Sequence, residues 1–372
     1  MLSRSRPSAP LHPDFRGVST PDGGSRRRRI LWGVASGLGL LLALTSPSAS
    51  QPVEGAGDEK ASEEAPRQIP APPPIGVRLG EALEGDQLRI AYRWERSRAQ
   101  GLQVGQDHLS PGAARDRLGF GQTPRSLEVT VHTFEVAYAP HPRVTLVAAL
   151  PFVQSELERV DPNRPPGSTR RQEQTDGVGD LSFAVVVPFI RKGFESSQVH
   201  VGVSAPTGSF RRGGDQMRLP YDVQPGGGTW NLEWGWTYKG ELERFSWGGQ
   251  ATGVHPVGRN DLDWRDGSRF AGQIWGAVRI FSGLSASLSA EWWKQNNIEG
   301  FDRSLRPAFD PSENPKLRGG NGINLAPGLS LEVPGLSGQR LALEVGVPVY
   351  QDLDGPQLTR KWSLRTGWQW VY

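Results

Sequence analysis

The sequence predicts an all-β fold, a transmembrane antiparallel up-and-down β-barrel of about 12 strands with a disordered N-terminal segment. Three observations predict it: apolar and polar residues alternate at period two through residues 77–372, the connections alternate between long and short, and an export signal precedes both. Composition agrees. Apolar residues make up 36% and the mean hydropathy is −0.48, too polar for a bundle of membrane helices but suited to strands with one apolar face. The 47 Gly and 13 Trp suit closely packed strands with aromatic girdles at two interfaces. There is no Cys, which excludes a disulfide framework and any thiolate metal site.

In chain order, residues 1–50 read as an address. Arg26 to Arg29 form a basic cluster, Ile30 to Leu44 an apolar run, and Ser48, Ala49 and Ser50 the small residues before a cleavage point at Gln51. A retained anchor needs roughly 20 apolar residues, and this run is shorter and closed by Pro47. The polar lead before it is long, and a start near Val18 would leave a conventional signal. Its removal takes seven Arg and two Asp, so the formal balance moves from 42 basic against 39 acidic to 35 against 37. A nearly neutral mature chain gives no reason to expect a nucleic-acid partner. Residues 51–76 combine Glu54, Asp58, Glu59, Glu63 and Glu64 with Pro70, Pro72, Pro73 and Pro74. So few apolar groups cannot offset the entropy of ordering, and a disordered acidic, Pro-rich linker is expected there, in the periplasm.

The barrel itself is expected over residues 77–372. In the last segment Trp362, Leu364, Thr366, Trp368, Trp370 and Tyr372 share one face, and Lys361, Ser363, Arg365, Gly367 and Gln369 the other. A helix would scatter both sets around its axis. Similar alternation marks strands near residues 86–95, 125–138, 143–153, 180–190, 198–205, 228–238, 244–254, 269–280, 284–294, 321–333, 340–350 and 361–372. Most approach the ~9–11 residues that a tilted strand needs to cross a bilayer. Long connections at residues 96–124, 154–179, 206–227, 255–268, 295–320 and 351–360 alternate with short ones at 139–142, 191–197, 239–243, 282–283 and 334–339. Such sorting fits long outer loops and tight inner turns, with both termini in the periplasm. One strand breaks phase: Leu127, Val129 and Val131 share a face, but the next apolar set is Phe134, Val136 and Tyr138. A β-bulge near His132 and Thr133 would restore the facing.

These residues also resemble a known family. Asp176-Gly177-Val178-Gly179-Asp180 before a strand, Pro206-Thr207-Gly208 after the next, Gly226-Gly227-Gly228-Thr229-Trp230, Arg318-Gly319-Gly320 and Val347-Pro348-Val349-Tyr350-Gln351-Asp352 look like the outer-membrane transporter family grouped with the meta-cleavage phenol-degradation pathway proteins. The resemblance covers residues 85–372 and implies a barrel for uptake or export of small molecules. Some relatives look Met-rich on the strands matching residues 125–153, which suits a soft metal. This chain has only Met1 and Met217, so no metal role and no cofactor carries over.

Facing inward by the same alternation are Arg89, Arg93, Glu95, His132, His200, Glu233, Gln273, Arg279, Glu291, Glu332, Glu344, Lys361 and Arg365, candidates for a solute pathway. Charges of both signs around one space imply water, ion pairs or both, so a charged pathway and a plugged lumen both stand open. Twelve strands lie between barrels filled by side chains and wide porins. A lipid hydrolase on the same architecture would need a nucleophile and a His on the lipid-facing wall, and no His is expected there. Paired catalytic carboxylates, H-E-x-x-H and phosphate loops are absent from the sequence, so no enzyme is expected. The partners expected are outer-membrane lipids and lipopolysaccharide, a small-molecule solute, and the barrel-assembly machinery, which would read the terminal strand Trp362 to Tyr372.

Overall fold

The computed structural model describes residues 69–161, 170–213, 218–333 and 335–372. The expected signal and the linker up to residue 68 lie outside the described residues. The strands, in chain order, are β1 (Leu88–Gly105), β2 (Asp107–Leu109), β3 (Thr123–His141), β4 (Val144–Val160), β5 (Arg170–Val178), β6 (Leu181–Lys192), β7 (Glu195–Ala205), β8 (Trp230–Leu242), β9 (Phe245–Val257), β10 (Trp264–Arg265), β11 (Arg269–Phe281), β12 (Leu284–Gln295), β13 (Glu299–Gly300), β14 (Gly320–Glu332) and β15 (Gln339–Val371). One short helix, α1 (Pro111–Leu118), and three single 3-10 turns, at 221–223, 311–313 and 315–317, lie in the connections.

Each long strand pairs antiparallel with its neighbours, and β15 pairs β1, so the sheet closes. Eleven strands form the ring, and the 33-residue β15 counts twice. Its first part pairs β14 from Arg340 to Leu353, and its second pairs β1 from Leu353 to Val371. The chain therefore doubles back, and Val371 N donates to Gly338 O at 2.9 Å. That gives twelve staves, the even number expected. Closure leaves no ladder edge to satisfy in lipid.

The outer face is an exposed apolar band, including Phe134, Val136, Phe183, Val185, Val201, Val203, Trp230, Trp236, Ile274, Leu288, Trp292, Leu343 and Val347. A water-soluble domain rarely shows so large a patch, and a bilayer is the solvent that covers it. The inner face is polar: Thr145, Gln198, His200, Thr237, Gln250, Ser285, Ser289, Asn324 and Glu344 are all buried there.

The expected β-bulge in β3 is absent. Its register to β1 and to β4 is unbroken from Ser126 to Tyr138, so the change of apolar parity is real. Below His132 the apolar residues Phe134, Val136 and Tyr138 point outward. Above it Glu128 points outward, ion-paired with Arg96 and with Arg98 at 3.1 Å, while Leu127 packs inward with Leu157, Leu219, Val223 and Leu358. The strands β1, β3 and β4 run well past the apolar band, so their outer face meets water there and their inner face meets folded loops. Environment inverted, not register. The same extension turns most of the long connection expected at residues 154–179 into strand.

Connections at the loop end are folded, not open. Helix α1 is capped by Ser110, whose Oγ accepts from Ala113 N at 3.1 Å, and ends at Gly119 with φ 77°. The Ser-Pro start and Gly stop were legible signals for it. Tyr221, Trp264, Ile298 and Leu305 form a buried cluster, with the Tyr221 and Trp264 rings 4.9 Å apart edge to face.

Candidate functional site

The lumen is the candidate site, and its first occupant is the chain itself. Residues 69–85 enter from the turn end, rise to mid-height and return to β1. This corrects the expected extent of the linker, because residues 69–76 are ordered against the wall. The reason is chemical. Pro70, Pro72, Pro73 and Pro74 have no N–H to satisfy, so mainly their carbonyls need partners, and the wall supplies donors.

Those donors come from around the ring. Arg279 Nε donates to Ile69 O at 2.7 Å and Nη2 to Pro70 O at 2.8 Å. Arg340 donates to Pro73 O, Gln250 Nε2 to Arg78 O at 2.7 Å and Gln198 Nε2 to Leu79 O at 3.0 Å. Arg191 Nη2 reaches Leu83 O at 3.0 Å, and Leu83 N donates to Thr145 Oγ1 at 3.0 Å. The segment is thus fastened by side chains and not by strand pairing.

Most of the inward candidates are where alternation put them, but many are already engaged. Arg89 pairs Glu135 at 3.0 Å, and Arg279 pairs Glu332 at 2.6 Å. Arg365 gathers three carboxylates: Glu291, Glu344 at 2.6 Å and Glu95 at 3.6 Å. Gly76 presses on this group, and a Cβ there would stand 2.7 Å from Glu344 Oε1 and 2.8 Å from Arg365 Nη1. His200 is buried on the inner face of β7, packed against Gly235. Arg93, Glu233 and Gln273 also take inward positions.

Two candidates are corrected. His132 shares the outward parity of Phe134 and lies in an aromatic group with Tyr92 and Phe152; the Tyr92 hydroxyl is 2.7 Å from its Nδ1. The bulge that would have turned it inward does not exist. A His therefore does stand on the outer wall, yet Tyr92 is its one side-chain hydrogen-bond partner among the described residues, and no nucleophile, base and orienting group line up. Lys361 is the extra residue of a bulge in β15, since Arg98 pairs Trp362 and Ala99 pairs Arg360. The bulge hands the inward position to Arg360, whose guanidinium carbon lies 5.7 Å from the Trp293 ring centre, and leaves Lys361 exposed.

Above the inserted segment is a cavity of about 470 Å³, lined among others by Arg78, His200, Glu233, Gln250, Arg269, Gln273, Trp293, Asn324, Arg360 and Arg365. Alternation missed Arg78 because it lies on the inserted segment, and Arg360 because of the bulge.

A lid covers the loop end. Its anchor is Arg159, buried with Glu173, with Asp310 at 3.1 Å and with Glu313 at 2.9 Å. Burial, with Asp310 alongside, raises the Glu313 carboxyl above the ordinary range, against the pull of the Arg306 N–H and of Arg159. Arg218 pairs Asp302 at 2.5 Å, and the Asp302 N–H donates to the Tyr221 hydroxyl at 3.0 Å.

Beside the lid, residues flagged by the motifs form one junction between β5 and β6. The Asp180 carboxylate accepts from Gly208 N at 2.9 Å and Gly227 N at 3.2 Å, and Thr207 Oγ1 donates to Gly179 O at 3.0 Å. A Cβ on Gly208 would stand 2.8 Å from the Gly226 Cα, so two backbones meet there with no room for a side chain.

Neither protein-family models nor curated protein sequences match this chain. Solved structures do. An outer-membrane channel from Pseudomonas putida superposes with TM-score 0.55 at 14% identity, over 79% of this chain and 98% of that one. A Pseudomonas aeruginosa FadL homologue gives 0.39 at 7% identity, over 77% and 90%. A monoaromatic hydrocarbon channel, CymD, gives 0.38 at 8% identity, over 78% and 89%. The first of these shows the fold of the present chain to be that of an outer-membrane barrel.

Proposed function

We propose that this chain is an outer-membrane channel for small polar or aromatic solutes, with residues 69–85 as a removable stopper. One observation carries the reading: the lumen holds a segment fastened by hydrogen bonds to wall side chains, beneath a cavity that the wall does not fill. A barrel meant only as a scaffold gains nothing from keeping such a space. On this reading the loop end faces outward, both termini are periplasmic, residues 1–50 are cleaved, and residues 51–68 are the tether of the stopper. The grouping with phenol-degradation transporters rests on the glycine and aspartate motifs and belongs to the same proposal. So do contact with lipopolysaccharide and recognition of Trp362 to Tyr372 by the assembly machinery.

The test is solute entry into liposomes holding the full mature chain or a chain lacking residues 69–85. The reading expects slow, selective entry with the first and fast, unselective entry with the second. A second reading, a structural barrel, is favoured by the buried Arg159 anchor that holds the lid. Impermeability of both preparations would establish that reading and overturn the channel.

A further inference from the structure

We infer that the cavity above the stopper is a binding site for a small organic anion, with an aromatic carboxylate as the class that fits best. The inference rests on the channel reading and specifies what the channel takes.

The argument begins with which charges are free. Arg89, Arg279 and Arg365, three of the inward cations that alternation singled out, are paired with Glu135, with Glu332, and with Glu291, Glu344 and Glu95. They hold the wall and the stopper together and offer little to a solute. Three other guanidinium groups line the cavity: Arg78 from the stopper, Arg269 from β11 and Arg360 from β15. All three residues are exposed although the strands carrying two of them turn these positions inward, so the space they reach is the lumen. None of the three guanidinium groups has an ion pair or a hydrogen-bond acceptor among the described residues. Glu95 and Glu291 lie within electrostatic reach of Arg360, and both also pair Arg365. Asp180 accepts two backbone N–H groups. Glu233 is the remaining carboxylate on the lining, and Asp266 lies within electrostatic reach of Arg269.

Three guanidinium groups without an ion-pair partner among the described residues face one cavity, and a wall of low dielectric strengthens their attraction for an anion there. A planar, bidentate carboxylate matches a guanidinium better than a spherical ion does. Trp293 adds the second element, since its ring lies beside Arg360 on the inner wall and gives a flat apolar group a surface to stack on. Arg78 makes the site part of the stopper, so an anion held there also touches the segment that must move.

The probe is benzoate, with benzamide as its neutral counterpart of the same shape, measured by calorimetry on the purified full mature chain in detergent. Benzoate should bind and benzamide should not. The triple variant Arg78→Gln, Arg269→Gln, Arg360→Gln should weaken benzoate by about tenfold or more. Lys361→Gln, which removes one positive charge from the bulge outside the cavity, should leave binding unchanged. Heat-modifiable migration on gels checks that each variant is folded. Equal binding of benzoate and benzamide, or unaltered benzoate binding by the folded triple variant, would overturn the site. Liposome entry of benzoate separates the two readings. Entry that persists in the triple variant at the original rate keeps the channel and removes the site, whereas binding without any entry, even after deletion of residues 69–85, keeps the site and removes the channel.

Discussion

Arg279 and Ile69 stand 210 positions apart in sequence, yet the guanidinium Nε of one lies 2.7 Å from the carbonyl oxygen of the other. The contact fixes the entry of the inserted segment at the turn end. Arg340, which donates to Pro73 O and to Ser330 Oγ at 3.0 Å, fixes it four residues further on. Replacing both arginines by Ala should free this end of the stopper while the barrel still closes. Single-channel recording should show more frequent and larger openings than in the original chain. Unchanged currents from the folded double variant would mean that the segment is held by other contacts.

The junction between β5 and β6 predicts a contrast between two glycines. Gly208→Ala places a methyl 2.8 Å from a backbone Cα and 2.9 Å from the Asp180 carboxylate, neither of which can yield cheaply. A cost of about 1–3 kcal/mol is expected from such overpacking. Gly276→Ala on β11 meets nothing within 4 Å and should be neutral. Thermal unfolding in detergent should separate the two variants.

The lid should respond to pH through Glu313. Its carboxyl is raised in the closed lid, chiefly by burial, with Asp310 adding to it; Arg159 and the half-exposed Arg306 pair with the group, and Glu173 shares Arg159 with it. A raised carboxyl binds its proton more tightly closed than open, so the closed lid is favoured in mild acid and loses stability as pH rises through the raised value. Protease cleavage within residues 296–319 should therefore increase as pH rises above the ordinary carboxylate range. Glu313→Gln should flatten that increase. A lid that loosened on mild acidification instead would reverse the assignment.

Closure of the ring rests on the last residues. Gln369 pairs Ala91, Val371 pairs Arg89, and Leu88 and Tyr372 exchange two backbone hydrogen bonds at 2.9 and 2.8 Å. Deleting Trp368 to Tyr372 strips β1 of its partner at the turn end, and unpaired groups in the bilayer cost several kcal/mol each. The truncated chain should be missing from the outer membrane and degraded. Gln369→Ala, which keeps the backbone ladder, should assemble nearly normally.

The sequence by itself determined the closed antiparallel sheet, its twelve staves and most of its inward residues. Alternation at period two is a local consequence of strand geometry, and one face in lipid imposes it on every spanning strand. It could not decide where the bilayer ends, because the pattern reports only a difference between faces. Leu127 and Phe134 are both apolar, yet one packs under a lid and the other meets lipid, and only the height of β3 above the band separates them. Nor could it decide the facing of Lys361 and Arg360, since a bulge in β15 is visible only in its pairing with β1. The Pro-rich residues 70–74 lack the apolar area to order themselves. Tertiary structure ordered them, because Arg279 and Arg340 on distant strands bring donors to carbonyls that have no partners of their own.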